Sequence, residues 1–508
     1  MAVGRNSRGR IRPHERDADD DNNIIGANIA IVEEHQQGVA ETIDHQRRVR
    51  TTNNYRNRVK HIYKFMAIRY PEYCTCGGVR DLSDEELSHH HKNTKDLVYT
   101  GLNVSIILAF LAAKKNKADG MLQSFTNMRK YHDAILYGAE QANQQLPRDY
   151  YVQMDKWMAS YRKEAAKAKA EGRLEEQEAD PVSFSLFRLW MQWAIDAKNP
   201  FVWVFGLLQW NFMARSISVG TLAFHNFRLG EDNIIGKYDK HKADQGGESL
   251  HDKHIFGNPF DAVLDINLAC GVWFCLDPGQ YSTREHFFQG ADMNDDVASQ
   301  RFSTQLMAII KEHKDIVSNF MRFAHANTHS VRKGSGTYSQ SGTTAPPPAT
   351  ATAGRGEWSL GRVFDIYLFL SEPGDTYLGR ILAGLDPLEE TFASLPPHFI
   401  SSSPMEIEDI KEAMQSMYGP IMDRWSSAEN DPTGLLLRLL PSVIHHSGFL
   451  LEVTRTVPGH PFSSIPILQN PELLSRLKLL VTTKPTDSMK KPTGIPPHIP
   501  CRDDKASV

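Results

Sequence analysis

Residues 328–368 read THSVRKGSGTYSQSGTTAPPPATATAGRGEWSLGRVFDIYL. The stretch opens on His329 and Arg332, three residues apart and therefore on one face of a helix. A Gly- and Ser-rich segment follows, then a Pro/Ala/Thr run, then Trp358 and, nine residues later, Tyr367. The His-x-x-Arg spacing is not distinctive by itself, because His45–Arg48 and His225–Arg228 share it. The second pair is distinctive: of 8 tryptophans, Trp358 alone has a tyrosine at that offset. Nine residues of unbroken helix would turn Trp358 and Tyr367 to opposite faces. A shared site therefore requires a bend, and Gly361 is placed to supply it. The run TTAPPPATATAGR separates the two pairs.

Upstream, residues 183–227 are apolar and aromatic, with a break expected at Asn199–Pro200. Arg215 sits near the end of that run, where an unpaired guanidinium would be costly to bury. A carboxylate or a phosphate would serve as its partner. FRLGEDNIIGKYDKHKADQGGESL, from Phe227, reads as strand, turn, strand with lysines at the turn. A buried helix over 258–276, a loop, and an amphipathic helix over 302–322 lead into the opening stretch. Beyond Tyr367 the helix is expected to end at Ser371–Gly374. The following 381–508 region is acidic and proline-rich, with helices from Ser403, over 434–453 and over 471–481.

Towards the N-terminus, residues 1–48 are polar and aperiodic and read as a disordered tail. From Thr51, TTNNYRNRVKHIYKFMAIRY places Tyr55, Val59, Ile62, Tyr63 and Met66 on one face of a helix. Arg56, Arg58 and Lys60 project elsewhere. Further helices are expected over 95–114, 120–144 and 149–170, and Asp180–Pro181 marks a domain boundary. Cys74, Cys76 and His89–His91 do not have zinc-finger spacing, so no metal is expected there.

Five cysteines in 508 residues do not make a disulfide framework and suggest a reducing compartment. The polar N-terminus reads as carrying no export signal, and the most apolar runs are too short to be membrane spans. The net charge of −4 hides an asymmetry: residues 41–170 carry 22 Lys and Arg against 14 Asp and Glu, a net of +8, leaving −12 for the rest. A local basic block of this kind suits a nucleic acid partner, and a solvated helical surface produces one too.

The side chains gathered around the opening stretch suit phosphodiester cleavage without a metal or other cofactor. Arginines clamp the nonbridging oxygens through bidentate geometry. A lysine or histidine moves protons, and a tyrosine can be the covalent nucleophile. Tyr338 and Tyr377 are rivals to Tyr367 for that last part.

The order Arg215, a lysine in a β-turn, His329-x-x-Arg332, Trp358 and Tyr367 resembles the catalytic domain of the tyrosine recombinases, the phage integrase-type family. The preceding basic helical block is similar to that family's core-binding domain. The resemblance covers about residues 51–380. It is closest to the eukaryotic Crypton-like transposon recombinases, which share a Lys-x-Asp-Gln turn, an RKG-x-x-TY helix and a G-x-W-S loop. It implies a mainly α fold with a small β-sheet. Residues 51–178 would form the core-binding domain, 183–380 the catalytic domain, and 381–508 a helical or irregular C-terminal extension.

By the same resemblance, Arg215 and Arg332 bind the scissile phosphate and His329 assists as acid, base and donor. Trp358 buttresses the site, and Tyr367 attacks to form a 3′-phosphotyrosyl link. Lys242, or its neighbours Lys240 or Lys237, protonates the leaving 5′-oxygen. Double-stranded DNA, self-association into a synaptic oligomer and a nuclear location follow from the resemblance alone. The sequence departs from the family at Ser218, where an acidic residue is common, and in TTAPPPATATAGR, which stands as an insertion by the same resemblance. A catalytically inactive, element-derived DNA-binding protein is the alternative.

Overall fold

The computed structural model describes residues 49–70, 99, 102–116, 120–174, 179–239, 251–282, 286–288, 296–360, 372–425 and 431–495. The tail 1–48, the Cys74/Cys76/His89–His91 cluster, Lys240, Lys242, Gly361 and Tyr367 lie outside those residues. The described chain is mainly helical with a small antiparallel sheet, and it divides into two compact units, 1–177 and 178–508.

The first unit is built on α1 (Val49–Arg69), α2 (Val104–Lys114), α3 (Phe125–Gln141) and α4 (Arg148–Ala170). Its core takes Val59, Ile62, Tyr63 and Met66 from α1, the face expected from their three-to-four spacing, with Tyr55 packed against it. Capping sets the helix starts: Asn103 and Ser124 accept from Ser105 N and Asn127 N. The expected helices at 95–114 and 120–144 are therefore shorter at their N-terminal ends.

The second unit is centred on α6 (Pro200–Asn211), every residue of which is buried apart from a half-buried Pro200. Asn199 caps α6 and Pro200 opens it, so the expected break after α5 (Phe184–Asp196) is present. A helix apolar all round must be enclosed. Here α5, α8 (Ile266–Leu276), α9 (Asp296–Glu312) and α10 (Thr328–Ser341) enclose it. Its indole N–H groups find backbone partners: Trp203 Nε1 donates to Val263 O at 2.8 Å and Trp210 Nε1 to Leu382 O at 3.1 Å.

Between α6 and α8 lie the one-turn α7 (Ser216–Gly220) and a three-stranded antiparallel sheet of β1 (Phe227–Leu229), β2 (Ile234–Gly236) and β3 (Lys253–Ile255). Leu229 faces Ile234 across the tight turn, and Gly236 faces Lys253. The expected strand–turn–strand is thus a three-stranded unit. Its lysines follow β2 and are not at the β1–β2 turn. The helix expected over 258–276 is confined to α8, which starts where Asp265 accepts from Asn267 N and Leu268 N.

Two further expectations are corrected. Part of the supposed insertion forms α11 (Ala349–Arg355), buried from Ala351 to Arg355. The expected helix end at 371–374 is instead the start of α12 (Glu372–Leu382), because Pro373 occupies the first turn, where its missing N–H has no intrahelical role.

Residues beyond 380 share the core of 182–382 through α13 (Glu408–Trp425), α14 (Thr433–His445), α15 (Ser447–Thr456) and α16 (Pro471–Lys478). The helix expected over 434–453 is bent by 62° between α14 and α15. Farther on, β4 (His398–Phe399) pairs with β5 (Val481–Thr482). The Arg380–Asp232 pair, fully buried at 2.5 Å, also receives Thr493 N, which ties the late chain to the β1–β2 turn. Among the described residues no single helix is long and apolar enough to cross a membrane.

Candidate phosphate-binding site

Three chain reversals bring the site together. The first ends α6. Met213 adopts φ +50°, Met213 N donates to Trp210 O and Ala214 N to Gln209 O, which closes the helix and sends the chain to Arg215. Arg215 is the residue before α7 and is half-buried. Gln209 secures the arrangement: its Nε2 donates to Ala214 O at 3.2 Å and to Thr328 O at 2.9 Å. One buried amide therefore holds both the approach to Arg215 and the start of α10.

The second reversal starts α10. Asn327 accepts from His329 N at 2.9 Å while Ser330 Oγ accepts from Asn327 N at 3.2 Å, a reciprocal cap. His329 in the first turn is exposed, and Arg332, one turn on, is 8% exposed. Two glycines let α10 approach its neighbours. A Cβ on Gly334 would lie 2.3 Å from Val182 O, and one on Gly336 would lie 2.6 Å from the Trp358 indole. These close approaches account for the glycines of RKGSGTY.

The third reversal ends α11. Glu357, at φ +53°, donates N–H to Gly354 O, and Trp358 N donates to Ala353 O. This places the Gly356 carbonyl on Arg332 Nη2 and the Trp358 ring 5.6 Å from the Arg332 guanidinium carbon. Trp358 is 40% exposed, so the indole supports the guanidinium while remaining open to a ligand.

Arg355, just before this turn, is buried and fills its donor fork. Nε and Nη2 reach the Asp375 carboxylate at 2.7 and 2.6 Å, Nη1 reaches Asn211 O at 2.9 Å and Nη2 reaches His254 O at 2.7 Å. It thereby joins the end of α6, β3 and α12. Asp375 also accepts from His254 N at 2.8 Å and contacts His254 Nδ1 at 2.9 Å. Burial alone would raise the Asp375 carboxyl, but Arg355 and the His254 hydrogen bonds hold it well below the usual range.

Beside it, Lys253 Nζ donates to Glu357 Oε1 at 2.8 Å and to His251 O at 3.1 Å, and lies 4.6 Å from the Tyr238 ring centre. Burial lowers the Lys253 pKa, with Glu357 opposing the shift. Arg332 is brought down to about 10, first by burial and then by Arg215; Tyr238 and Glu357 act the other way. Arg215 is thus near enough to disfavour the charge of Arg332. Among the described residues neither has a carboxylate within ion-pair distance. Two like charges within electrostatic reach of each other, one desolvated, suit an anion.

Of the residues expected to form a site, Arg215, Arg332 and Trp358 are brought together and His329 stands at the exposed start of the same helix. Lys242 and Tyr367 lie outside the described residues, as does Lys240. Lys237 follows β2 and is exposed. The rival tyrosines have structural roles. Tyr338 stacks on Phe184 at 4.4 Å and is pushed up to about 12 by burial, then by Asp386. Tyr377 donates its hydroxyl to Ala345 O at 2.5 Å.

Sequence reasoning missed Lys253, Glu357, Arg355 and Asp375. The one available signal was the turn itself: a charged residue beside Gly356 and directly before Trp358.

In the first unit, Lys60 and the Lys114 end of α2 surround His61 together with Arg58; burial lowers the His61 pKa, and Lys114, Arg58 and Lys60 lower it further. Arg58 also bridges to α3 through Asn127 Oδ1 at 3.2 Å, so it does not project freely as expected. Lys115 is engaged with Glu164 at 2.8 Å. Arg56, Lys64, Lys114, Arg129 and Lys130 are exposed.

No family model matches the chain, and neither a curated protein nor a solved structure matches it.

Proposed function

We propose that this protein cuts and rejoins duplex DNA through a covalent 3′-phosphotyrosyl intermediate, as a tyrosine recombinase acting in integration of a mobile element. The observation that carries this is the Arg215–Arg332 pair: two guanidiniums within electrostatic reach of each other and without a carboxylate partner among the described residues, one of them held by a backbone carbonyl and an indole. Arginines so placed meet a phosphate bidentately from two sides. The charge developing on its nonbridging oxygens would meet donors already desolvated and fixed.

In this reading the Tyr367 oxygen attacks phosphorus and gives up its proton with help from His329, which stands at the exposed start of α10. The bond from phosphorus to the 5′-oxygen breaks, and Lys242 protonates that oxygen. The phosphotyrosyl link keeps the phosphodiester energy, so the reverse attack by a 5′-hydroxyl rejoins a strand without a metal or nucleotide. Elimination supports the nucleophile. The second unit has six tyrosines, and five of them (Tyr238, Tyr281, Tyr338, Tyr377 and Tyr418) are buried, stacked or hydrogen-bonded in the structure. Tyr367 is the sixth.

The basic face of the first unit would grip the duplex backbone, and strand exchange would require self-association on DNA in the nucleus. The test is a duplex nicked near the scissile position, which loses a short fragment on cleavage and traps the adduct. Wild-type protein should form a protein–DNA adduct, and Tyr367→Phe should bind without forming one. Binding with no adduct from wild type would favour a catalytically inactive DNA-binding protein.

A further inference from the structure

We propose that Glu357, through its buried pair with Lys253, is a positioning residue that fixes Arg332 and Trp358 for phosphate. This rests on the functional reading above.

The backbone gives the first reason. Helix α11 has a glycine at its end, Gly356, but this glycine keeps ordinary helical geometry at φ −74°. The left-handed position falls to Glu357 instead. A residue with a Cβ is strained there, a strain glycine avoids. Met213, Lys198 and Asn143 end helices in the same way, so the conformation alone assigns no role.

The side chain supplies the second reason. Its carboxylate reaches Lys253 across 104 residues of sequence, and the two side chains are 7% and 0% exposed. A buried ion pair of this kind is replaceable by apolar groups with little loss of stability. What apolar groups cannot replace is its direction. Lys253 is held on β3 opposite Gly236, and it draws Glu357 down onto the sheet. The residues on either side of Glu357 are then fixed: the Gly356 carbonyl accepts from Arg332, and the Trp358 indole lies against Gly336 and 5.6 Å from the guanidinium carbon. Glu357 is also near enough to Arg332 to oppose the charge of Arg215 there.

The test uses the full chain and three variants. Glu357→Gly keeps the left-handed turn without strain and removes the whole side chain with its carboxylate, leaving Lys253 without its ion-pair partner. Lys253→Met with Glu357→Leu removes both charges and leaves neither orphaned. Trp358→Leu marks the contact. With arginine side chains labelled with nitrogen-15, the Arg332 Nε resonance, identified by its loss in Arg332→Lys, should be shifted by the ring current of Trp358. It should return to the bulk arginine position in Trp358→Leu, in Glu357→Gly and in the double variant.

On the nicked duplex the double variant should keep wild-type affinity and thermal midpoint and cleave about 100-fold more slowly, the usual consequence of misplacing a group by about 1 Å. A double variant with the wild-type Arg332 resonance overturns the positioning role, and so does one with wild-type cleavage. A displaced resonance in a protein that never forms an adduct upholds the positioning and refutes the recombinase reading instead.

Discussion

Replacing Arg355 by methionine tests whether the segment from Ala349 is core. The methionine fills much of the arginine stem's volume but leaves Asp375 buried without its cation. It also leaves Asn211 O and His254 O without their guanidinium donors. Breaking a buried pair from one side costs about 3–5 kcal/mol. The two contacts from His254 to Asp375 remain, which favours the lower end, about 3 kcal/mol. For a unit of this size that corresponds to a fall of about 4 °C in the unfolding midpoint. Adding Asp375→Leu removes the orphaned carboxyl and should recover most of the loss.

The pH dependence follows from the depressed folded-state pKa of Asp375. Its stabilisation is present above the unfolded carboxylate value of about 4 and is lost as the pH falls through the lower folded value. The variant lacks the part of this depression that Arg355 supplies. The gap between wild type and Arg355→Met should therefore be full at pH 7 and narrow as the pH drops below about 4. Urea unfolding followed by tryptophan fluorescence at both ends of that range reads it. A gap under about 1 kcal/mol at pH 7, or one unchanged by acid, would refute the core placement of Arg355.

Four other outcomes are expected. Gly336→Ala pushes a methyl into the Trp358 indole, so cleavage should fall about 100-fold with duplex affinity unchanged, whereas Gly334→Ala meets the Val182 carbonyl and should lower the thermal midpoint instead. Arg332→Ala should slow single-turnover cleavage by about 10²–10³, and Arg332→Lys should restore little because lysine lacks the bidentate fork. Lys242→Ala should be inactive on ordinary DNA and recover when sulfur replaces the leaving 5′-oxygen, since a thiolate departs without a proton; recovery by Lys237→Ala or Lys240→Ala in its place reassigns the acid. Arg56→Ala and Lys64→Ala should each weaken duplex binding and reduce the salt slope by about 0.9, if each meets one phosphate, while Arg58→Ala should also loosen α1 from α3.

Local pattern carried much of the fold. The stripe Tyr55–Val59–Ile62–Tyr63–Met66 and the Asn199–Pro200 break were legible because helix period and capping act over a few residues. The site was legible as residue types in order, namely Arg215, Arg332 and Trp358. What placed them was not. Arg355 is a lone cation among Ala, Thr and Gly, with no periodic signal, and its partners are 20 to 144 residues away. The proline run before it resembled slack, and it is the packing of α11 against α10 and α12 that makes the following residues, Ala351 to Arg355, core. The Lys253–Glu357 pair was hidden for the same reason. At Glu372–Pro373–Gly374, proline reads as a helix stop or as a first-turn residue, and the choice is made by the buried Asp375 carboxylate that follows.

The most direct measurement is the chemistry of the trapped adduct. The covalent complex formed on a nicked duplex would be digested with protease, and the peptide carrying the DNA identified by mass. Tyr367 should carry a 3′-phosphate, with a free 5′-hydroxyl on the released fragment. An adduct on any other residue, a 5′-linked phosphate, or no adduct from a protein that binds the duplex tightly would contradict cleavage through Tyr367.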